Sequence, residues 1–234
     1  MPKKKIKISI VICTLNEEQN LPWVLQRIKK TLPEFDKSEI IAVDGHSSDN
    51  TVEVAKKFGC RVFFDKKLGK GEALRLGASK ARGEIIVFID ADGSHDPKDI
   101  KKLLYPIRKQ GIDHVSGSRM LGGSDELHKD FGQFVRLVGS AFITLIINYS
   151  MKVRLTDCQN GFRAIRRSVF EKLDLKENLT TIEQEMILKT LKKRFKILEI
   201  PTHEYERRNG QSHIVIWKYA PRYIYSCFKY LFFS

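Results

Sequence analysis

The chain has 234 residues, with 42 Lys and Arg against 28 Asp and Glu, giving a formal charge of +14. With 42% hydrophobic and 30% charged residues it can bury a sizeable core, which excludes an intrinsically disordered chain and a miniprotein stapled by disulfides. Cys13, Cys60, Cys158 and Cys227 form no CxxC pair and no metal-ligand spacing, so they read as reduced thiols of an intracellular protein, packed as small core residues.

Lys3-Lys4-Lys5 ahead of Ile8 to Cys13 superficially resembles a signal peptide. The apolar part is short and runs into Asn16-Glu17-Glu18 without a small-residue cleavage site, so it reads as a strand. Lys7 to Cys13 is β-branched and continuously apolar, as a strand buried on both faces would be. Asn20 to Thr31 has the helical apolar period, Glu39 to Val43 is a second strand ending at Asp44, and Ser48 to Thr51 offers caps for a helix over Val52 to Phe58. Arg61 to Phe64, Glu84 to Ile89 and Asp113 to Ser116 are further strands, separated by helices over Ala73 to Ala81 and Pro97 to Lys109. Repeated strand and helix with short connections predict an α/β fold with a mostly parallel sheet covered on both faces.

Beyond residue 120 the pattern loosens. Gly122 to Lys129 reads as a mobile loop, Phe131 to Met151 as one helix or two, and Asp157 to Arg163 as a polar turn. Arg167 to Lys172 and Thr181 to Phe195 are helices, and Ile197 to Ile200 is a late strand. No stretch reaches the roughly 20 apolar residues of a membrane span. Leu137 to Ile147 comes nearest, at a length suited to a buried or interfacial helix.

Ligands of parallel α/β sheets bind at the carboxyl ends of the strands. Polar residues cluster there: Thr14, Asn16 and Glu17 after the first strand, Asp44 after the second, Asp90 and Asp92 after the fourth, and Ser118 and Arg119 after the fifth. Asp90-Ala91-Asp92 is the sharpest signal. Two carboxylates at i and i+2 suit a hard divalent cation, Mg²⁺ or Mn²⁺, which could offset the charge of a diphosphate leaving group. A phosphatase of the haloacid dehalogenase type also carries an apolar run followed by DxDG. That motif normally opens its chain and needs a later acidic pair, whereas here the next strand leads to Gly117-Ser118-Arg119.

The series Thr14-Leu15-Asn16-Glu17-Glu18, Val43 to Thr51, Lys70-Gly71, Asp90-Ala91-Asp92, Gly117-Ser118-Arg119 and Asn160-Gly161-Phe162-Arg163-Ala164 resembles family 2 glycosyltransferases with a GT-A fold. The segments Asp157 to Ala164 and Arg207 to His213 are most similar to dolichyl-phosphate mannose synthases and other polyprenyl-phosphate glycosyltransferases. The resemblance covers residues 6 to about 215 and implies a glycosyltransferase domain over 1–213 followed by a tail over 214–234. It implies that Cys13, Thr14, Glu17, Val43, Asp44, Lys70 and Ala91 line a nucleotide pocket, and that Asp90 and Asp92 hold the metal and the sugar diphosphate. It further implies that Arg119, Arg163, Arg207 and His213 contact phosphates or the acceptor, with Asp92, Asp157 and Arg119 as the catalytic set. Three positions depart from the family pattern: Gly45 where a second Asp is common, Ser94 where Gln is frequent, and His213 where Lys is frequent.

The implied reaction is metal-dependent inverting transfer from a nucleotide-sugar, with GDP-mannose the favoured donor and UDP-glucose next, to dolichyl or another polyprenyl phosphate. A lipid phosphate is already ionised and needs cations rather than a base, whereas a saccharide hydroxyl needs a general base, for which Asp157 is the candidate, with Glu183 and Glu185 behind it. Eight of the 23 aromatic residues fall between Trp217 and Ser234. On one helix Lys218, Arg222 and Lys229 would lie within about 40° of each other, a stripe suited to the anionic cytoplasmic surface of a membrane. An aromatic tail packed on the domain is the alternative. A nucleic-acid binder fits less well, because the Lys pairs are scattered and no binding motif is present. An inert relative that only binds nucleotide-sugar is a further alternative.

Overall fold

The computed structural model describes residues 7–32, 37–125, 131–210 and 216–233, with the side chains of 131–136 and 216–219 left aside. Its sheet is built from β1 (Ile8–Thr14), β2 (Ser38–Asp44), β3 (Arg61–Phe64), β4 (Ile85–Asp90), β5 (His114–Ser118), β6 (Arg163–Arg166) and β7 (Ile197–Pro201), in the order β3-β2-β1-β4-β6-β5-β7. β1 pairs in parallel with both β2 and β4, so Cys13 lies between Val43 and Asp90 in register, and Thr14 lies beside Asp44. The strand order reverses at β1, which opens a crevice beyond the carboxyl ends of β1, β2 and β4.

One strand was not expected. β6 runs antiparallel between β4 and β5, whereas the sequence reads as a turn up to Arg163 followed directly by a helix. Four residues, Arg-Ala-Ile-Arg, are too few for a periodicity, and only the burial of Ala164 and Ile165 between two neighbouring strands identifies them as sheet.

The helices are α1 (Leu21–Thr31), α2 (Thr51–Lys57), α3 (Lys70–Lys80), α4 (Ile100–Lys109), α5 (Arg119–Gly122), α6 (Phe131–Met151), α7 (Arg167–Leu173), α8 (Ile182–Lys192) and α9 (Ile216–Phe232). One face of the sheet packs on α1, α2 and α4 through Leu21, Val24, Leu25, Ile28, Ala55, Leu103 and Ile107. The other packs on α3, α7 and α8 through Leu74, Ala78, Phe170, Leu173, Ile182 and Met186. α3 approaches the sheet closely because residue 77 is glycine: a Cβ there would stand 2.4 Å from Val11 Cγ1. α3 also begins at Lys70, earlier than the apolar period indicates. Its first turn is capped by the Asn178 carbonyl, which accepts from Gly71 N–H at 2.7 Å and Glu72 N–H at 3.2 Å.

α9 packs on the domain. Cys227, Tyr230 and Leu231 join Ile143 and Ile147 of α6 and Ile187 and Leu188 of α8 in a third apolar cluster. The stripe expected to face an anionic surface is turned toward Glu177 instead, with Lys229 Nζ at 3.5 Å and an Arg222 nitrogen at 3.9 Å, while the Lys218 side chain lies outside the described residues. Both cations stay substantially exposed beside this buried carboxylate, and the exposed side of α9 also carries Ile224, Tyr225, Phe228 and Phe232. Among the described residues no helix is long and apolar enough to cross a membrane.

Candidate active site

The polar segments after β1 and β2 lock together. Thr14 Oγ1 donates to Asp44 Oδ2 at 2.9 Å, and Ser47 donates to Asp44 through its backbone N–H and hydroxyl, both at 2.7 Å. Glu17 N–H donates to Thr51 Oγ1 at 2.7 Å, and Asn50 donates to Glu18 through both of its nitrogens. Asn16 holds a left-handed conformation, φ 54°, in which its side-chain oxygen accepts from Ser48 N–H at 2.8 Å. The Thr-Leu-Asn-Glu-Glu and Asp-Gly-His-Ser-Ser-Asp-Asn-Thr motifs thus build one rim of the crevice by satisfying each other's backbone groups.

Two charge clusters stand behind that rim. Lys70 Nζ lies 2.8 Å from Asp90 Oδ1 and 3.0 Å from Glu183 Oε1. Burial opposes the charge on Lys70, but Asp90 and Glu183 outweigh it and hold its pKa above the usual lysine range. Burial likewise pushes the Asp90 carboxyl up, and Lys70, with smaller help from His95 and Arg163, more than reverses it. In the second cluster Arg207 bonds Glu17, reaches the Asn209 carbonyl at 2.7 Å and stands 3.6 Å from Asp92 Oδ2. Burial pushes the Glu17 carboxyl up, and its bonds from Asn20 and Arg207 offset only part of that. The other oxygen of Asp92 accepts from Ser94 N–H at 3.0 Å and Ser94 Oγ at 2.7 Å, which fixes the turn after β4.

Beyond β4, Arg119 forms a fork on Asp157, with Nε to Oδ2 at 2.7 Å and Nη2 to Oδ1 at 3.0 Å, and its remaining nitrogen lies 3.2 Å from Glu204. Burial would raise the Asp157 pKa, but the Arg119 charge and bonds overcome it and hold the carboxyl below the usual aspartate range. Glu199 of β7 accepts from the backbone N–H of Thr156 at 2.6 Å and of Asp157 at 2.8 Å, which aims the carboxylate at Arg119.

Several of the expected site residues are buried in the core or already engaged. Arg163, 1% exposed, donates to the carbonyls of Asn160 and Glu183, so its guanidinium braces the loop before β6 and is turned away from any acceptor. Its pKa is pulled down by burial. The side chains of Val43 and Ala91 belong to the apolar core, and Asp44, 1% exposed, spends its oxygens on Thr14 and Ser47. Cys13 is half-buried among Lys70, Asp90, Asp65 and Glu183, and burial pushes its thiol far up, which makes it inert. His213 lies outside the described residues. Glu183, the next candidate base after Asp157, is at the site in contact with Lys70, whereas Glu185 accepts from the backbone N–H groups of Lys176 and Glu177. Glu204, Glu199 and Asn20 complete the polar shell, and the sequence marks them only by their places beside strand or helix ends.

Gly161 explains the Asn-Gly-Phe-Arg-Ala motif. A Cβ there would fall 2.9 Å from Lys70 Nζ, 3.0 Å from Asp90 Oδ2 and 3.1 Å from Glu183 Oε1. Among the described residues no three His, Cys, Asp or Glu side chains are grouped to hold an ion. Asp90 and Asp92 fit the other arrangement of a hard divalent cation, in which one or two carboxylates serve and substrate phosphates and water complete the shell.

Strand-end carboxylates beside arginine forks, at the switch point of a parallel sheet, define a nucleotide-handling α/β enzyme. The profile of the family described as Glycosyl transferase family 2 matches residues 9–174, and the chain belongs to that family of glycosyltransferases. It is 31% identical to an uncharacterized protein of Methanocaldococcus jannaschii, over 92% of this chain and 89% of the relative. It is 31% identical to the dolichol-phosphate mannosyltransferase of Pyrococcus furiosus, over 96% of this chain but 64% of the relative, and 27% identical to the dolichyl-phosphate hexose transferase of Haloferax volcanii, over 88% and 86%. The fold is the GT-A fold of glucosyl-3-phosphoglycerate synthase from Mycobacterium tuberculosis. That enzyme's structure with Mg²⁺ and UDP superposes with a TM-score of 0.76 at 21% identity, over 97% of this chain and 79% of that one.

The Arg119–Asp157 pair generates a prediction. Because the folded pKa of Asp157 lies below that of a free aspartate, about 3.9, the pair's contribution is complete above that value and is lost as pH falls through the folded one. Asp157→Asn strands a buried arginine charge and is expected to cost about 3 kcal/mol in urea unfolding at neutral pH. The difference from the wild type should shrink on acidification below about pH 4. A variant as stable as the wild type at pH 7 would mean that the pair contributes nothing in solution.

Proposed function

We propose that the protein transfers a sugar from a nucleotide-sugar, with inversion, to a polyprenyl phosphate of the dolichyl type at a membrane surface, with Mg²⁺ or Mn²⁺ held by Asp90 and Asp92. The observation that carries the acceptor reading is the state of Asp157. Both its oxygens are engaged by Arg119 and its pKa is depressed, so it is a poor proton acceptor and a good anchor for a guanidinium. A hydroxyl acceptor needs a general base, and a lipid phosphate needs none.

In this reading a phosphate oxygen of the acceptor attacks the anomeric carbon from the face opposite the diphosphate. The new C–O bond forms as the bond to the diphosphate oxygen breaks, and the nucleoside diphosphate leaves with the electron pair. The bound cation supplies Lewis-acid stabilisation of the leaving diphosphate. Thr14 and Glu17 frame the nucleotide pocket, Lys70 and Arg207 stand beside the diphosphate, and Arg119, oriented by Asp157, faces the acceptor side. Arg208 is exposed next to this rim and stacks on Trp23 with its guanidinium 4.6 Å from the ring centre.

GDP-mannose is the favoured donor, supported by the likeness to the Pyrococcus mannosyltransferase. A UDP-sugar is the second reading, favoured by the UDP complexes of the M. tuberculosis fold relative. The membrane reading is supported by two helices that leave aromatic faces outward. Val138, Phe142, Leu145 and Tyr149 recur on α6 at helical spacing, as do Tyr225, Phe228 and Phe232 on α9, and neither helix contains an acidic residue. Both helices follow site segments in the chain, α6 after Arg119 and α9 after Arg207 and Arg208. This association would be peripheral and on the cytoplasmic face.

Transfer of labelled sugar from GDP-mannose and UDP-glucose to a polyprenyl phosphate is expected to require Mg²⁺ or Mn²⁺, to proceed from one donor, and to fall by at least about a thousandfold in Asp92→Ala. Transfer to a saccharide hydroxyl alone would overturn the acceptor, and full activity of Asp92→Ala would overturn the metal assignment. Replacing Tyr225, Phe228 and Phe232 together by Ser is expected to release the protein from anionic phospholipid vesicles in a flotation assay. Unchanged flotation would remove the α9 face from the membrane reading.

A further inference from the structure

Each carboxylate of the Asp90–Asp92 pair already has a cation of the chain's own. Lys70 Nζ lies within 3.0 Å of both oxygens of Asp90 and of Glu183 Oε1. Arg207 bonds Glu17 and stands 3.6 Å from Asp92 Oδ2. The two groups are built alike, each with two carboxylates around one cation in direct contact, and at the first of them His95 and Arg163 add a smaller positive influence. The first also lies directly over Gly161, where a single added carbon would stand 2.9–3.1 Å from the ends of Lys70, Asp90 and Glu183.

We propose that Lys70 and Arg207 are resident counter-ions that close the carboxylate pair to a divalent cation until a nucleoside diphosphate arrives. The phosphates then draw both side chains off the carboxylates as the metal takes their place. This rests on the metal-assisted nucleotide-sugar reading given above. A divalent ion approaching Asp90 alone must dislodge an ammonium in contact with both carboxylate oxygens, and would leave that ammonium facing a doubly charged neighbour in a poorly solvated place. A diphosphate removes the conflict, because its oxygens would accept from the ammonium and the guanidinium and so free Asp90 and Asp92 to hold the metal. Metal and nucleotide therefore assist each other's binding, and by the same factor in both directions.

Each cation reaches its carboxylates on a long side chain. Lys70 sits in the first turn of α3 after Gly69, whose φ of 120° only glycine adopts readily, and its four-carbon stem can swing without moving the helix. Arg207 belongs to the stretch between β7 and α9, outside any helix or strand. Removing Lys70 takes away the cation in direct contact with both Asp90 and Glu183, which favours any divalent ion that can enter.

The test measures Mn²⁺ binding by the electron paramagnetic resonance of free Mn²⁺, for the wild type, Lys70→Met and Arg207→Gln, alone and with GDP or UDP. The wild type is expected to bind Mn²⁺ at least about tenfold more tightly with nucleotide than without. Lys70→Met is expected to bind Mn²⁺ alone at least about tenfold more tightly than the wild type does. Arg207→Gln shifts in the same direction and carries the test if circular dichroism shows Lys70→Met unfolded. Nucleotide-assisted binding in the wild type, with neither variant tighter toward Mn²⁺ alone, would overturn the counter-ion role and leave the metal reading standing. Wild-type protein that takes Mn²⁺ equally well without nucleotide would overturn it too. No Mn²⁺ binding under any condition would overturn the metal reading, and the counter-ion role with it.

Discussion

Crowded carboxylates at one edge of a parallel sheet are the constraint around which this molecule is arranged. Asp90, Asp92, Glu17, Glu183, Asp157 and Glu204 lie beyond the carboxyl ends of the strands or on the helices that face them, and each is engaged by Lys70, Arg207 or Arg119. Buried like charges at such spacing would repel without those cations. The helices, the reversed strand β6 and the loop before it serve to bring the cations to that edge. Asn178 caps the helix that starts at Lys70, and Glu199 orders the backbone that presents Asp157.

The same arrangement separates what is ready to react from what is structural. Arg163, Asp44 and Cys13 have the residue types of a catalytic site but are buried, satisfied or inert. Arg207 and Lys70 are held by carboxylates, which in the proposed function an incoming phosphate replaces. Arg119 is fixed more firmly, by a two-point fork on Asp157 and a third contact to Glu204.

Much of this was legible in the sequence. β1, β2 and β4 announce themselves as largely apolar runs rich in β-branched residues, β3 and β5 fall between expected helices, and the strand-end rule then locates Thr14, Asp44, Asp90 and Arg119 without coordinates. β6 was not legible because four residues carry no period. The helix start at Lys70 was hidden because its cap comes from a carbonyl more than a hundred residues away in the chain. The approach of Arg222 and Lys229 to Glu177 depends on a residue that nothing in the tail's own sequence indicates. Helical periodicity grouped those two cations correctly on one side. It could not tell which side faces the protein.

Hydrogen–deuterium exchange with and without nucleotide and Mn²⁺ tests most directly whether the carboxylate edge is the donor site. The expected result is protection of residues 14–18, 69–72, 90–94 and 204–209 when GDP or UDP is added with Mn²⁺, and little change when Mn²⁺ is added alone. Protection confined to other parts of the fold, with those four segments exchanging as before, would contradict it.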